Sequence, residues 1–148
     1  MEKRNQGIST GVFPKTSLDF SRIYRNFLRD LKSNTGSVTS FLGVARLESA
    51  DGKKKIRSLV IESYEEHANQ ILNKIADETK KKFGLTSILI VHGLGRFSPG
   101  QPVVMVLVAS PRRSQAFDAL REAVERYKKE PALFKKEIYS GGASSWIS

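Results

Sequence analysis

Two stretches late in the chain, SILIVHGLG at 87–95 and VVMVLVAS at 103–110, are apolar enough to commit the fold to a sheet. Each reads as a strand, and RFSPGQP at 96–102 joins them as a turn by composition. The remaining segments arrange themselves around this pair. Gly11-Val12-Phe13 is a short strand ended by Pro14. Ser17 is a candidate N-cap with Asp19 in the first turn, and Phe20, Ile23, Tyr24, Phe27 and Leu31 predict a helix to about Leu31. SNTGS at 33–37 is a loop, and SVTSFLGVARL at 37–47 is a strand in which Gly43 marks a bulge or a close backbone approach.

The segment ESADGKKKIRS at 48–58 is expected to be a mobile connection around Asp51-Gly52, followed by the strand SLVIESY at 58–64. A helix over Glu66 to Phe83 carries Ile71, Leu72, Ile75, Ala76 and Phe83 on one side, with Gly84 as its C-cap. The third helix runs from Arg113 to about Lys129, with Ala116, Phe117, Leu120, Ala123, Val124 and Tyr127 as its buried stripe. LFKKEIYS at 133–140 is a final extended piece before Gly141-Gly142. Strands and helices interleave without a nucleotide-binding glycine loop. The expected fold class is therefore α+β: one domain over 1–148, a mixed or antiparallel sheet and about three helices.

Cysteine is absent, which excludes disulfides, thiolate metal sites and a cysteine nucleophile. His67 and His92 alone are too few imidazoles for an ordinary zinc site, so neither a metal nor a cofactor is expected. No apolar run reaches the roughly 20 residues of a membrane span. MEKRNQGIST at the start lacks the apolar core of a signal peptide, so the cytoplasm is the expected location. The formal charge of +10, from 25 Lys and Arg against 15 Asp and Glu, favours an anionic partner: a nucleic acid, a phosphorylated metabolite or an acidic protein.

The four lysines of KKEPALFKKE at 128–137 do not share one direction. At about 100° per residue, the stripe of the third helix spans roughly −20° to 100° from Ala116, Lys128 lies near about 120° and Lys129 near about 220°. Lys128 thus edges the buried face, while Lys129 points away. Pro131 ends the helix. In the extended piece Lys135 and Glu137 take one face, and Lys136 takes the other with Phe134. A lysine-rich helix end is by itself ordinarily a solvated face favoured by the helix dipole.

GSVTSFLGVAR at 36–46, LVIESY at 59–64, VHGLGRFSPGQPVVMVLVASPRRSQAF at 91–117 and KKEPALFKKE at 128–137 occur in order. Together, from Gly36 to Trp146, they resemble the large, catalytic subunit of molybdopterin synthase. The resemblance implies an α/β-hammerhead type of fold and an enzyme that inserts two sulfurs into cyclic pyranopterin monophosphate, forming a dithiolene. It implies a sulfur source as well: the thiocarboxylate on the C-terminal Gly-Gly of a small ubiquitin-like subunit, docked on a homodimer within a heterotetramer. A sulfur-transfer enzyme without cysteine must be handed its sulfur, so the composition agrees.

The resemblance places the principal catalytic lysine at Lys128 and the second at Lys135, with Glu137 beside it. It puts the strand arginine at Arg46 after Val44 and Ala45, and a helix-start pair at Arg112 and Arg113. Lys136 joins these as a substrate-binding candidate. Guanidinium forks at Arg46, Arg112 and Arg113 suit a phosphate. Lys128 is expected to be partly buried among cations, which would lower its pKa, and Glu137 is expected to orient Lys135. His92 is expected as a hydrogen-bonded core residue. The chain departs from the family pattern at Arg112, where the family has histidine; at His92-Gly93, in place of His-Arg; and at Phe134, in place of tryptophan. The first would change substrate contacts or proton handling. Arg113 and Lys128, at opposite ends of one helix, lie about 22 Å apart, so a shared substrate would require the arginine end of a second chain. A basic RNA-binding module also fits the charge, but no RNP motif or recognition-helix pattern accompanies it. A non-catalytic homologue that scaffolds the small subunit draws its support from Arg112.

Overall fold

The computed structural model describes residues 8–147. The two apolar stretches form strands β4 (Ser87–Phe97) and β5 (Pro102–Ser110), paired antiparallel from Ser87↔Ala109 to His92↔Val104. The remaining strands are β1 (Gly11–Pro14), β2 (Ser37–Val44), β3 (Ile56–Ser63), β6 (Leu133–Tyr139) and β7 (Ser144–Ile147). They make a seven-stranded sheet in the order β2-β5-β4-β3-β6-β7, antiparallel except that β1 runs parallel to β4. With eleven residues, β4 is long enough to take β1 beside Val91–Leu94 and β3 beside Gly95–Phe97 on its edge away from β5. The sheet is mixed, as expected.

Both faces of the β4–β5 pair are covered, which is why its sequence is apolar without alternation. Ile90, Val104, Val106 and Val108 meet helices α2 (Glu65–Phe83) and α3 (Arg113–Lys129). Val91, Met105 and Leu107 point the other way, to Ile23 of helix α1 (Phe20–Arg29) and the side chains around it. The left-handed Gly84 (φ 64°) ends α2, as its sequence predicts. Three helices and the sheet thus agree with the expected class.

Local expectations failed where short-range chemistry competed. Asp19, not Ser17, caps α1: its carboxylate accepts the Arg22 N–H at 3.1 Å. Ser17 instead closes a 3-10 turn over Lys15–Ser17, donating its hydroxyl to the Pro14 carbonyl at 2.9 Å. Helix α1 stops at Arg29, short of Leu31. The 48–58 segment is a hydrogen-bonded arm rather than a bare connection. A Glu48↔Lys55 bridge closes it, Gly52 N–H donates to the Ser49 carbonyl at 2.8 Å, and β3 already begins at Ile56. Within the arm, Asp51 accepts from the Lys53 N–H and the Ser49 hydroxyl, which hold its carboxyl below the ordinary range. On α3 the buried row is Ala116, Ala119, Ala123 and Tyr127, while Phe117 is 59% exposed. The alanines bring α3 close to the sheet, and close approach turns the larger Phe117 outward.

Candidate functional site

A cavity of about 420 Å³ opens where β2 bulges, α3 ends and β6 passes. Arg46, Lys128, Lys135 and Glu137 are the charged groups in its wall, and Tyr127, Phe41 and Val104 are among its apolar ones. The β2–β5 register shifts between Gly43 and Val44, so the bulge expected at Gly43 is present. A Cβ on Gly43 would lie 2.6 Å from Val104 Cγ1, so the glycine allows β2 and β5 to approach here. Just past the bulge, Val44 is half exposed and lines the cavity. Ala45 does not line it. Its side chain is buried with Ile61, Phe97 and Val103. Its backbone is tied to the β4–β5 turn, N–H to the Gln101 carbonyl at 2.9 Å and carbonyl from the Gly100 N–H at 2.8 Å. Ala45 therefore fixes the chain from which Arg46 projects.

Lys128 stands in the last turn of α3, next to the buried Tyr127, and lines the cavity; Lys129 does not. This is the division that helical spacing predicts. Lys128 is exposed, however, and the burial expected of it belongs to Lys135. Lys135, half-buried on β6, has its pKa pulled below the ordinary lysine value, first by burial, then by Lys128 and Arg46. No ion pair forms at its ammonium among the described residues. The site thus contains an unneutralised, partly desolvated amine beside an exposed one.

Glu137 shares the face of Lys135 but does not orient it. Its buried carboxylate, 3% exposed, accepts the Tyr139 hydroxyl at 2.8 Å on Oε1. Its Oε2 lies 3.7 Å from the Arg46 guanidinium. Three cations against one carboxylate leave the cavity attractive to an anion. Lys136 occupies the opposite face, its ammonium 5.4 Å from the Trp146 ring, and has no place in the cavity wall. Arg112 and Arg113 are exposed at the far end of α3, and neither reaches this cavity. The separation expected between the two ends of the helix is therefore present within one chain.

Behind the wall, His92 is fully buried with its ring 5.7 Å from that of Tyr127. Burial, with a smaller push from Lys135, lowers its pKa to about 4, so the ring is neutral near pH 7. Nδ1 lies 2.9 Å from the Gly93 carbonyl, while Nε2 has no partner among the described residues. His92 is thus hydrogen-bonded on one side only. Burial also pushes the Tyr127 phenol up to about 12. The end of α3 is tied down by Arg126, which donates to Glu130 at 2.6 Å and to Glu78 of α2 at 2.8 Å. Sequence reasoning passed over Tyr139 and Ile147 of β7, although strand alternation places Tyr139 on the face of Lys135 and Glu137. No cluster of three or more potential metal ligands exists among the described residues, and no helix there is long and apolar enough to cross a membrane.

Comparison with known proteins agrees with this geometry. The MoaE protein family matches residues 14–130, a span that includes Lys128 and stops before β6. A relative from Bacillus subtilis (strain 168), the molybdopterin synthase catalytic subunit, is 37% identical over 116 residues, covering 78% of this chain and 72% of its own. The crystal structure of molybdopterin synthase from Staphylococcus aureus superposes with a TM-score of 0.81 at 27% identity, covering 94% of this chain and 96% of that one. A complex of subunits 1 and 2 of the molybdopterin-converting factor from Helicobacter pylori 26695 contains the same fold, with a TM-score of 0.66 at 19% identity over 95% of this chain and 87% of that one.

Proposed function

The chain belongs to the MoaE protein family, and from that premise we propose that its cationic cavity is where sulfur passes from a thiocarboxylated partner to cyclic pyranopterin monophosphate. The chain is a molybdopterin synthase catalytic subunit in activity: a sulfurtransferase of molybdenum cofactor biosynthesis. The observation that carries the assignment to this cavity is the pair Lys128 and Lys135, one exposed at the end of α3 and one desolvated on β6, converging without acidic partners of their own among the described residues.

Each residue has a task that its surroundings suit. Lys128, exposed and cationic, holds the thiocarboxylate of the incoming tail. The tail ends in Gly-Gly because a chain without side chains can thread a narrow passage. Lys135, whose proton burial has loosened, gives that proton to the pterin oxygen whose bond to carbon breaks as the carbon–sulfur bond forms, so that the oxygen leaves as a hydroxyl or as water. Water then cleaves the acyl–sulfur bond, and the partner leaves as a carboxylate. Arg46, steadied by Glu137, offers its guanidinium to the anionic end of the pterin. Val44 supplies apolar wall.

The partner is a small ubiquitin-like subunit, and the charge of +10 favours an acidic surface on it. Arg112 and Arg113 take part through a second copy: in a homodimer within a heterotetramer, the arginine end of one α3 serves the phosphate at the cavity of the other. Lys136, on the outer face of β6, is left to the rim.

The test is to mix the chain with a partner carrying a Gly-Gly thiocarboxylate and with cyclic pyranopterin monophosphate. Dithiolene formation that disappears when the partner ends in an ordinary carboxylate supports the assignment. A stable complex that yields no dithiolene would make the chain a scaffold for the small subunit.

A further inference from the structure

On β6 the residues Lys135, Glu137 and Tyr139 follow one another on a single face. The first two line the cavity; Tyr139, 7% exposed, stands behind them. The residue is held in place through both its backbone and its ring. Its backbone N–H donates to the Ala143 carbonyl at 2.8 Å. The Lys54 ammonium, from the arm between β2 and β3, lies 4.9 Å from the ring centroid.

From this fixed position the phenol donates to Oε1 of Glu137 at 2.8 Å, leaving Oε2 on the side of Arg46, 3.7 Å away. A buried carboxylate with one oxygen unheld would turn to the nearest available cation, because an unpaired charge in low dielectric is costly. The alternative cation is on its own face: Lys135, two residues back and without an ion pair among the described residues. Pairing there would neutralise Lys135 and release Arg46 together.

We propose that Tyr139 is a positioning residue, its hydroxyl holding the Glu137 carboxylate toward Arg46 and away from Lys135. Arg46 is thereby aimed into the cavity, and Lys135 keeps an unneutralised ammonium. What these two groups act on rests on the sulfur-transfer function proposed above; the hydrogen-bond relay itself does not.

The substitution Tyr139→Phe removes a single oxygen and keeps the ring, its packing and the Lys54 contact. In the reconstituted complex of the full chain, it should raise KM for cyclic pyranopterin monophosphate about tenfold, the scale of one hydrogen bond to a charged group. In a Glu137→Gln background the same substitution should change KM less than about twofold, because the charge that the phenol directs has gone. A merely structural tyrosine would give effects that multiply. A KM within twofold of wild type in Tyr139→Phe, or multiplying effects in the double variant, overturns the proposal. The Arg46 Nε–H resonance of the chain without substrate separates this failure from failure of the function. Displacement of that resonance toward free arginine in Tyr139→Phe supports the relay even if no dithiolene is formed, and an unmoved resonance refutes it.

Discussion

Acidification should destabilise the fold through His92 well before most carboxylates titrate. The ring is fully buried, and its pKa falls from 6.5 in the unfolded chain to about 4 in the fold, chiefly through desolvation. Between these values the unfolded chain binds a proton that the folded chain refuses. Stability therefore drops as pH falls through 6.5 and levels off below 4. Across the whole window the loss comes to about 3 kcal/mol, and between pH 7 and pH 5 to about 2 kcal/mol. Glu130, held below its ordinary value by Arg126, contributes its own loss only at lower pH, so the interval from 6.5 to 5 reports mainly on the imidazole. Urea unfolding followed by circular dichroism at half-unit pH steps measures the slope. His92→Leu removes the titrating group and with it the slope, whatever it does to stability at pH 7. Lys135→Met, which deletes the lesser cause, should flatten the slope slightly. Equal slopes for wild type and His92→Leu over this interval would refute the reasoning.

Gly43→Ala should cost about 1–2 kcal/mol in urea unfolding, because the new Cβ would stand 2.6 Å from Val104 Cγ1 and force β2 from β5 at the cavity wall. Arg126→Met should lower the thermal midpoint by about 2–4 °C in calorimetry, a modest loss because Glu78 and Glu130 are both more than a third exposed. Arg113→Ala and Lys128→Ala chains, each inactive alone, should recover part of the activity when co-expressed, since a mixed dimer with shared sites has one site free of both substitutions. Verified mixed dimers without recovery would place each complete site within one chain.

The parts of this architecture that were legible in sequence are those governed by local periodicity. Alternation in LFKKEIYS separates Lys135 and Glu137 from Lys136, and helical spacing separates Lys128 from Lys129, as the cavity wall does. The β4–β5 pair is equally plain, because cover on both faces removes polar residues from both strands. The α3 stripe was misjudged at Phe117 because alanine gives a weak hydrophobic signal, yet three alanines set how closely the helix packs. The cap of α1 was misplaced by two residues because the Asp19 carboxylate accepts the Arg22 N–H, while Ser17 donates its hydroxyl to the Pro14 carbonyl. Of the partners of Glu137, strand alternation offers Tyr139, whereas Arg46 was not legible at all. Arg46 reaches it only through the β2 bulge and the tie of Ala45 to the β4–β5 turn, contacts that no local spacing encodes.

The central claim is that two differently placed lysines in one cavity move the sulfur, and a single-turnover measurement tests it most directly. Wild type, Lys128→Ala, Lys135→Ala and Lys129→Ala, each verified as folded, are mixed in excess with thiocarboxylated partner and limiting cyclic pyranopterin monophosphate, and dithiolene is quantified after quenching. Lys129→Ala should match wild type, because its side chain lies outside the cavity, while Lys128→Ala and Lys135→Ala should form essentially none. Wild-type yield from either of the latter two, or an equal loss in all three, would contradict the account.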